Sequence, residues 1–259
     1  QPPIIAYVGP DYVETFVEAG VELYTFTVPR RWWVGPNEYD FSAVDAFIQT
    51  YVDQIPNRYL MPRIYLGRQG FPWWGEAHPD EMIVLRDCES GEICDPLASD
   101  PDVVHYLGHE VRLDDLNLHS FHSEVWRREA GQAVSTLIAH CEAAPYADQL
   151  WAWHLADGLF QEWFHWSEYA FGCLADYSPA AQQGFRYWMR QTYQDDLDAL
   201  AEAWGYAIPW EETRVPEPSA WADPSHGEFY DPVDDRPVID YMQCISDATV
   251  DSITAICES

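Results

Sequence analysis

What most constrains this chain is a repeated alternation of short apolar runs with amphipathic stretches. The run Ile4-Ile5-Ala6-Tyr7-Val8 stops at Gly9-Pro10 and reads as a buried strand. Asp11 stands where it would cap the next helix, whose Tyr12, Phe16, Val17 and Ala19 fall at helical spacing until Gly20. Residues 21–28 form a second β-rich run, closed by Pro29. Asp40 or Ser42 opens a second helix with Val44, Phe47, Ile48 and Val52 on one face, and residues 59–66 make a third strand. Buried strands separated by helices imply a parallel sheet with crossover connections, so the expected fold class is α/β.

The rhythm then changes. Residues 67–118 are rich in Pro, Gly, Asp and His, with at most a hairpin around Cys88 and Cys94. A loop this long in a compact domain is usually functional. A strong helix is expected over residues 121–143, capped by Ser123 or Ser120, and a fourth strand over 150–156, leading into the aromatic stretch 160–166. A further helix over 179–205 begins at Ser178-Pro179, with proline suited to the first turn. Residues 206–236 are irregular and a last helix starts near Val238. An eight-unit barrel takes ~250 residues, yet two long loops, after strands 3 and 4, leave only four strand–helix units. Either half a barrel is present or short strands between 206 and 236 escape recognition; the first reading is preferred, with residues 1–259 as one domain.

Charge excludes several partners. Asp and Glu number 44 against 13 basic residues, all arginine, for a net charge of −31. Such a surplus repels phosphate backbones and anionic membrane surfaces, so neither nucleic acid nor membrane is an expected partner. The acids are spread along the chain rather than blocked, which suits a surface adapted to high salt, where the Debye length is ~3 Å at 1 M. That fits the cytoplasm of a salt-accumulating halophile or secretion into brine. No run of 18 apolar residues is present. The six cysteines show no CxxC pair; Cys88 and Cys94 suit either a hairpin disulfide or two buried thiols.

Tyr39-Asp40-Phe41-Ser42, and Arg63-Ile64-Tyr65-Leu66 with Pro72-Trp73-Trp74, resemble segments of glycoside hydrolase family 42, the β-galactosidases: the first is similar to the segment after that family's second strand, the others to its third strand and Pro-x-Trp loop. Asp176-Tyr177-Ser178-Pro179, Phe185-Arg186-Tyr187-Trp188, Leu197-Asp198-Ala199-Leu200 and Ala203-Trp204-Gly205 are similar to the helix after the catalytic acid. Asp240-Tyr241 and Ser246-Asp247 resemble the element before the fifth strand. Residues 121–166, with Trp126-Arg127 and Pro145-Tyr146-Ala147-Asp148, look closer still to β-galactosidase-like barrels. The ordered set implies a TIM-type (β/α) barrel of which the chain carries the first four units.

The resemblance implies a retaining glycosidase, which needs two carboxyl groups ~5–5.5 Å apart and no metal or organic cofactor. Barrel enzymes place such groups at the C-terminal ends of strands. Glu162 follows the fourth strand among Phe160, Trp163, Phe164 and Trp166, and an apolar surround would raise its pKa as a general acid requires. The family's Asn-Glu pair would fall near Asp157-Gly158, and neither residue matches; Glu162 takes the role if Leu159-Phe160-Gln161 is an insertion. A plain surface glutamate is the alternative, with Asp157 and Glu168 in reserve. The nucleophile belongs after a seventh strand that the four units do not include. The missing half would come from further chain, a second half-barrel chain or a second copy in a homodimer; otherwise the chain is a non-catalytic carbohydrate binder.

Aromatic residues reach 15%, and tryptophan faces stack on sugar rings. Trp32, Trp33, Trp73, Trp74, Trp163 and Trp166 follow strand ends, and about half of them are expected to pack inside instead. Arg30, at the end of the second strand beside Arg31, is a candidate for substrate hydroxyls, as are His154, Asp157 and His165. His105 and His109 have helical i, i+4 spacing with His119 and His122 behind, but the segment lacks HExxH and no metal site is expected. The expected ligand is a carbohydrate.

Overall fold

In the computed structural model, residues 4–67, 71–86, 91–94, 103–106, 109–112, 118–158, 161–164, 176–222 and 229–259 are described. Four strands, β1 (Ile5–Tyr7), β2 (Leu23–Thr27), β3 (Tyr59–Tyr65) and β4 (His154–Ala156), form one parallel sheet in sequential order. Ile5 pairs with Leu23, Thr27 with Arg63, and Arg63 with His154. Among the described residues β1 and β4 are edge strands, and no strand from residues 206–236 joins this sheet.

Strand alternation gives the sheet two different faces. Tyr24, Phe26, Leu60 and Ile64 point into the main core. There they meet α1 (Val13–Glu18), α2 (Ser42–Gln54) and α3 (Glu124–Glu142). Phe26 stacks on Tyr51 of α2 at 3.8 Å, and the Tyr51 hydroxyl donates to the Val8 carbonyl at 2.8 Å, pinning α2 over the end of β1. The opposite face carries Ile5, Tyr7, Thr27, Tyr59, Arg63 and His154. Ile5, Tyr7 and Tyr59 are at least half exposed there.

Helix ends follow local chemistry, with corrections. Ser123 caps α3 by accepting from Trp126 N at 2.9 Å. The start of α2 is organised by Asp40, whose carboxylate accepts from both Ser42 N and Ser42 Oγ; these bonds hold its pKa below the usual value. Asp11 does not cap: it lies inside a short 3-10 turn, Pro10–Tyr12, that leads into α1 without a side-chain cap. The helix expected over 179–205 is two helices, α4 (Pro179–Thr192) and α5 (Leu197–Trp204). Gln194 and Asp195 take positive φ between them, and Asp196 then caps α5 through Asp198 N and Ala199 N. Helical periodicity continues across such a break, so it is invisible to a pattern search.

The long segment after β3 is not a plain loop. It holds a helix at Pro72–Ala77, a pairing of Leu85–Arg86 with Ile93–Cys94, and a hairpin of Val103–Tyr106 with His109–Arg112. His105 and His109 therefore lie on a hairpin, and their i, i+4 spacing is not helical. Cys88 and Cys173 lie outside the described residues, while Cys141 and Cys244 are buried free thiols.

A second core gathers α4, α5 and the long C-terminal helix α6 (Arg236–Cys257) around Tyr241. Buried Asp240 accepts from Tyr193 Oη, Trp204 Nε1 and Arg236 Nε at 2.7–2.8 Å, so its charge is compensated. Arg127 joins the two cores by reaching Ser252 Oγ of α6 and the Phe121 carbonyl. No helix among the described residues is long and apolar enough to cross a membrane.

Candidate active site

The C-terminal strand ends carry a continuous polar network on the face turned away from the helices. Gln161, held at φ +76°, reaches back over the strands. Its Oε1 accepts from Thr27 Oγ1 at 2.9 Å and from the Arg63 guanidinium at 2.8 Å. Arg63 Nε donates to His154 Nδ1 at 3.1 Å, and its guanidinium lies 5.1 Å from the Tyr7 ring centre. Burial and the neighbouring Arg63 charge both lower the His154 pKa, so the ring is neutral and its proton sits on Nε2.

Behind this network β4 ends in a sealed pair. Asp157 is fully buried, its Oδ2 2.9 Å from His119 Nε2 and its Oδ1 accepting from Gly158 N at 2.6 Å. His119 in turn stacks on Trp126 at 3.7 Å. Asp157 therefore braces the strand end from inside and does not reach solvent. Gly158 follows at φ +72°, with its carbonyl accepting from Tyr65 Oη at 2.6 Å. A Cβ at Gly158 would lie 2.1 Å from the Glu162 carbonyl, and one at Gly67 would lie 2.0 Å from the Gly158 carbonyl. Backbone meets backbone here, so no side chain fits at 158. A glutamate at 158 would not fit this backbone.

Glu162 sits in the turn that follows, closed by Phe164 N donating to the Glu162 carbonyl at 2.7 Å. Its side chain is exposed, which corrects the expected apolar enclosure. Trp163, next to it in sequence, turns away: it packs against the main core and donates to the Leu155 carbonyl at 3.3 Å. Trp74 is buried between Trp126 and His78 and bonded to Glu129, so neither face is open to a sugar. Trp33 is buried, and Trp73 lies edge-on to it at 5.0 Å with its N–H on the Trp33 carbonyl. These two line a cavity of about 830 Å³ with Tyr39, His78 and Glu129, on the outer side of the sheet. Arg30 is exposed and lies 5.7 Å over the Tyr65 ring. His165, Trp166 and Glu168 lie outside the described residues.

Tyr7, Thr27, Arg63 and Gln161 were not among the expected site residues. The one signal for Arg63 was an arginine inside an otherwise apolar strand of a lysine-free chain. His119 was read only as part of a histidine cluster, and nothing local ties it to Asp157.

A parallel sheet with helices behind it and polar side chains gathered at its strand ends is the α/β architecture on which barrel enzymes build their sites. Solved structures agree on the fold. A β-galactosidase from the psychrophilic Marinomonas ef1 superposes with a TM-score of 0.61 at 15% identity, covering 99% of this chain and 34% of that one. Gan42B, a family 42 β-galactosidase from G. stearothermophilus, gives 0.55 at 18% identity, covering 98% and 32%. The catalytic domain of a β-amylase from Paenibacillus polymyxa gives 0.64 at 14% identity, covering 99% and 61%. The chain thus spans about a third of the length of these β-galactosidases. A search of curated proteins finds no match. Residues 100–256, more than half of the sequence, match the glycoside hydrolase family 42 model, described as beta-galactosidase, and the chain belongs to that family.

Proposed function

We propose that residues 1–259 are one domain, the first four units of a glycosidase barrel acting on β-galactoside-like sugars with retention. Glu162 acts as acid/base: it protonates the glycosidic oxygen as a carboxylate from the other half attacks the anomeric carbon, then takes the proton from the water that releases the sugar. The observation carrying this reading is the Gln161–Glu162 turn, bonded down to Thr27 and Arg63 over the strand ends of a family 42 chain. Arg30, His154 and Trp73 are the accessible substrate-binding candidates. Trp33, Trp74, Asp157 and Trp163 serve mainly by holding the strand-end loops in place, and His165 and Trp166 are further substrate-binding candidates.

The exposed Ile5, Tyr7 and Tyr59 and the two edge strands support a sheet made to close against another half. That half, from the same polypeptide or a second copy, would bring the nucleophile. It would also cover the exposed Glu162. The spread of acids fits an enzyme working in high salt.

Glu162→Gln tests the assignment with an aryl β-galactoside in molar salt, on protein of known mass and oligomeric state. Turnover should fall about 10²–10⁴-fold, the usual worth of a general acid, while sugar binding persists. Unchanged turnover would remove Glu162 from the mechanism.

A further inference from the structure

Arg63 occupies an unusual electrostatic position. It projects from the middle of the strand-end network, level with Thr27 and His154, on the face turned away from the core. Its contacts are His154, Gln161 and the Tyr7 ring, all of them neutral. No described carboxylate pairs with it, in a chain holding 44 acids against 13 arginines. A half-buried guanidinium without a counter-ion carries a solvation cost that an anionic ligand removes.

Proton bookkeeping sharpens this. Thr27 gives its hydroxyl hydrogen to Gln161, so Tyr7 gives its own to Thr27 across 3.3 Å. Arg63 uses one N–H on His154 and one on Gln161, leaving three of its five. His154 keeps its Nε2–H, and Gln161, its oxygen doubly occupied, keeps both amide hydrogens. Most groups still available at the network's edge are donors (three Arg63 N–H, His154 Nε2–H and the Gln161 amide), against lone pairs on the Tyr7 and Thr27 hydroxyls, and the cluster's charge is +1. A neutral sugar hydroxyl leaves that charge uncompensated. A planar carboxylate, with two acceptor oxygens to meet the guanidinium fork, compensates it. Tyr7, 57% exposed beside it, offers an apolar surface for a pyranose ring.

We infer that Arg63, His154 and Gln161 form a carboxylate-recognition subsite, and that the sugar taken here is a hexuronate: a galactoside oxidised at C6, not a neutral galactoside. This rests on the reading that the strand ends bind sugar.

Calorimetric titration of the full 259-residue chain in molar salt would use three probes: methyl β-galacturonate, methyl β-galactoside and acetate. The galacturonate should bind about 10–100-fold tighter than either of the others, the range for hydrogen bonds to charged groups. Arg63→Met should erase the preference for the acid sugar, and Arg63→Lys, which keeps the charge but loses the fork, should retain only part of it. Circular dichroism checks the fold, and His154→Gln, which should narrow the preference for galacturonate over galactoside, serves if Arg63→Met does not fold. Equal affinity for acid and neutral sugar, or a preference that survives loss of Arg63, overturns the subsite while leaving the glycosidase reading intact. Acetate binding as tightly as galacturonate overturns the sugar part of the proposal. Binding of neither sugar overturns both.

Discussion

Asp157 and His119 face each other across 2.9 Å, both sealed from solvent, with Trp126 stacked on the imidazole at 3.7 Å. The pair ties the end of β4 to the segment entering α3, and Asp157 also holds Gly158 N. It fixes where the loop bearing Gln161 and Glu162 leaves the sheet.

Replacing Asp157 by leucine should therefore cost about 2–4 kcal/mol, since buried Gly158 N loses its acceptor and the His119 ring loses its close carboxylate. An asparagine at this position would still accept from Gly158 N, so the loss for Asp157→Asn should be about 1 kcal/mol. Urea denaturation of both variants in molar salt measures the difference, and equal losses would mean the retained acceptor contributes nothing.

Two glycines with nearly the same backbone offer a controlled comparison. Gly158 and Gly205 have φ of +72° and +76°, but a Cβ at Gly205 meets nothing within 4 Å. Gly205→Ala should lose only the left-handed conformational cost of about 1–2 kcal/mol. Gly158→Ala must also push away the Glu162 and Phe164 carbonyls, so it should lose clearly more. It should also weaken sugar binding by displacing Gln161 from Arg63. Similar melting points for the two variants would show that the 161–164 turn is not held as described.

His122 supplies a pH dependence. Burial, helped by nearby Arg127, pushes its pKa down from 6.5 to about 4. Between those values the unfolded chain binds the proton and the folded chain does not, so stability is full above pH 6.5 and falls as pH drops toward about 4. The loss from this one group is about 3 kcal/mol. His122→Phe keeps a ring beside Tyr241 without the titration. Its stability relative to the parent chain should rise by that amount from about pH 7 to about pH 4, measured by denaturant unfolding at each pH.

Net charge makes the salt prediction. With −31 charges and no lysine, self-repulsion should weaken the fold in dilute buffer and fade as salt screens it. Each kcal/mol relieved is worth ~2–4 °C for a chain of this size, so melting should rise by roughly 10 °C between dilute and molar salt. A melting point independent of salt would remove the halophilic reading.

Much of the architecture is legible in local pattern. The four strands, α2, α3 and α6 lie where apolar periodicity puts them, and Ser123 and Ser178 cap their helices, because a cap or an amphipathic face depends on residues within a few positions. The break between α4 and α5 is not legible, since it turns on two residues at positive φ. The hairpin holding His105 and His109 carries β-type Val103, Val104, Tyr106 and Val111, but Asp- and Pro-rich flanks obscure that short signal.

The sequence by itself determined the α/β class, the family resemblance and the acidity. Only the tertiary structure decided which side chains meet at the strand ends. Gln161 contacts Arg63 across 98 positions and Thr27 across 134, contacts set by strand register and by the path of a loop that Gly67 and Gly158 permit. Packing likewise decided that Trp74 is interior while Glu162 is exposed, although both sit among aromatic residues in the sequence. Local composition cannot distinguish a carboxylate beside aromatic rings from one enclosed by them, because enclosure is a property of elements distant in the chain.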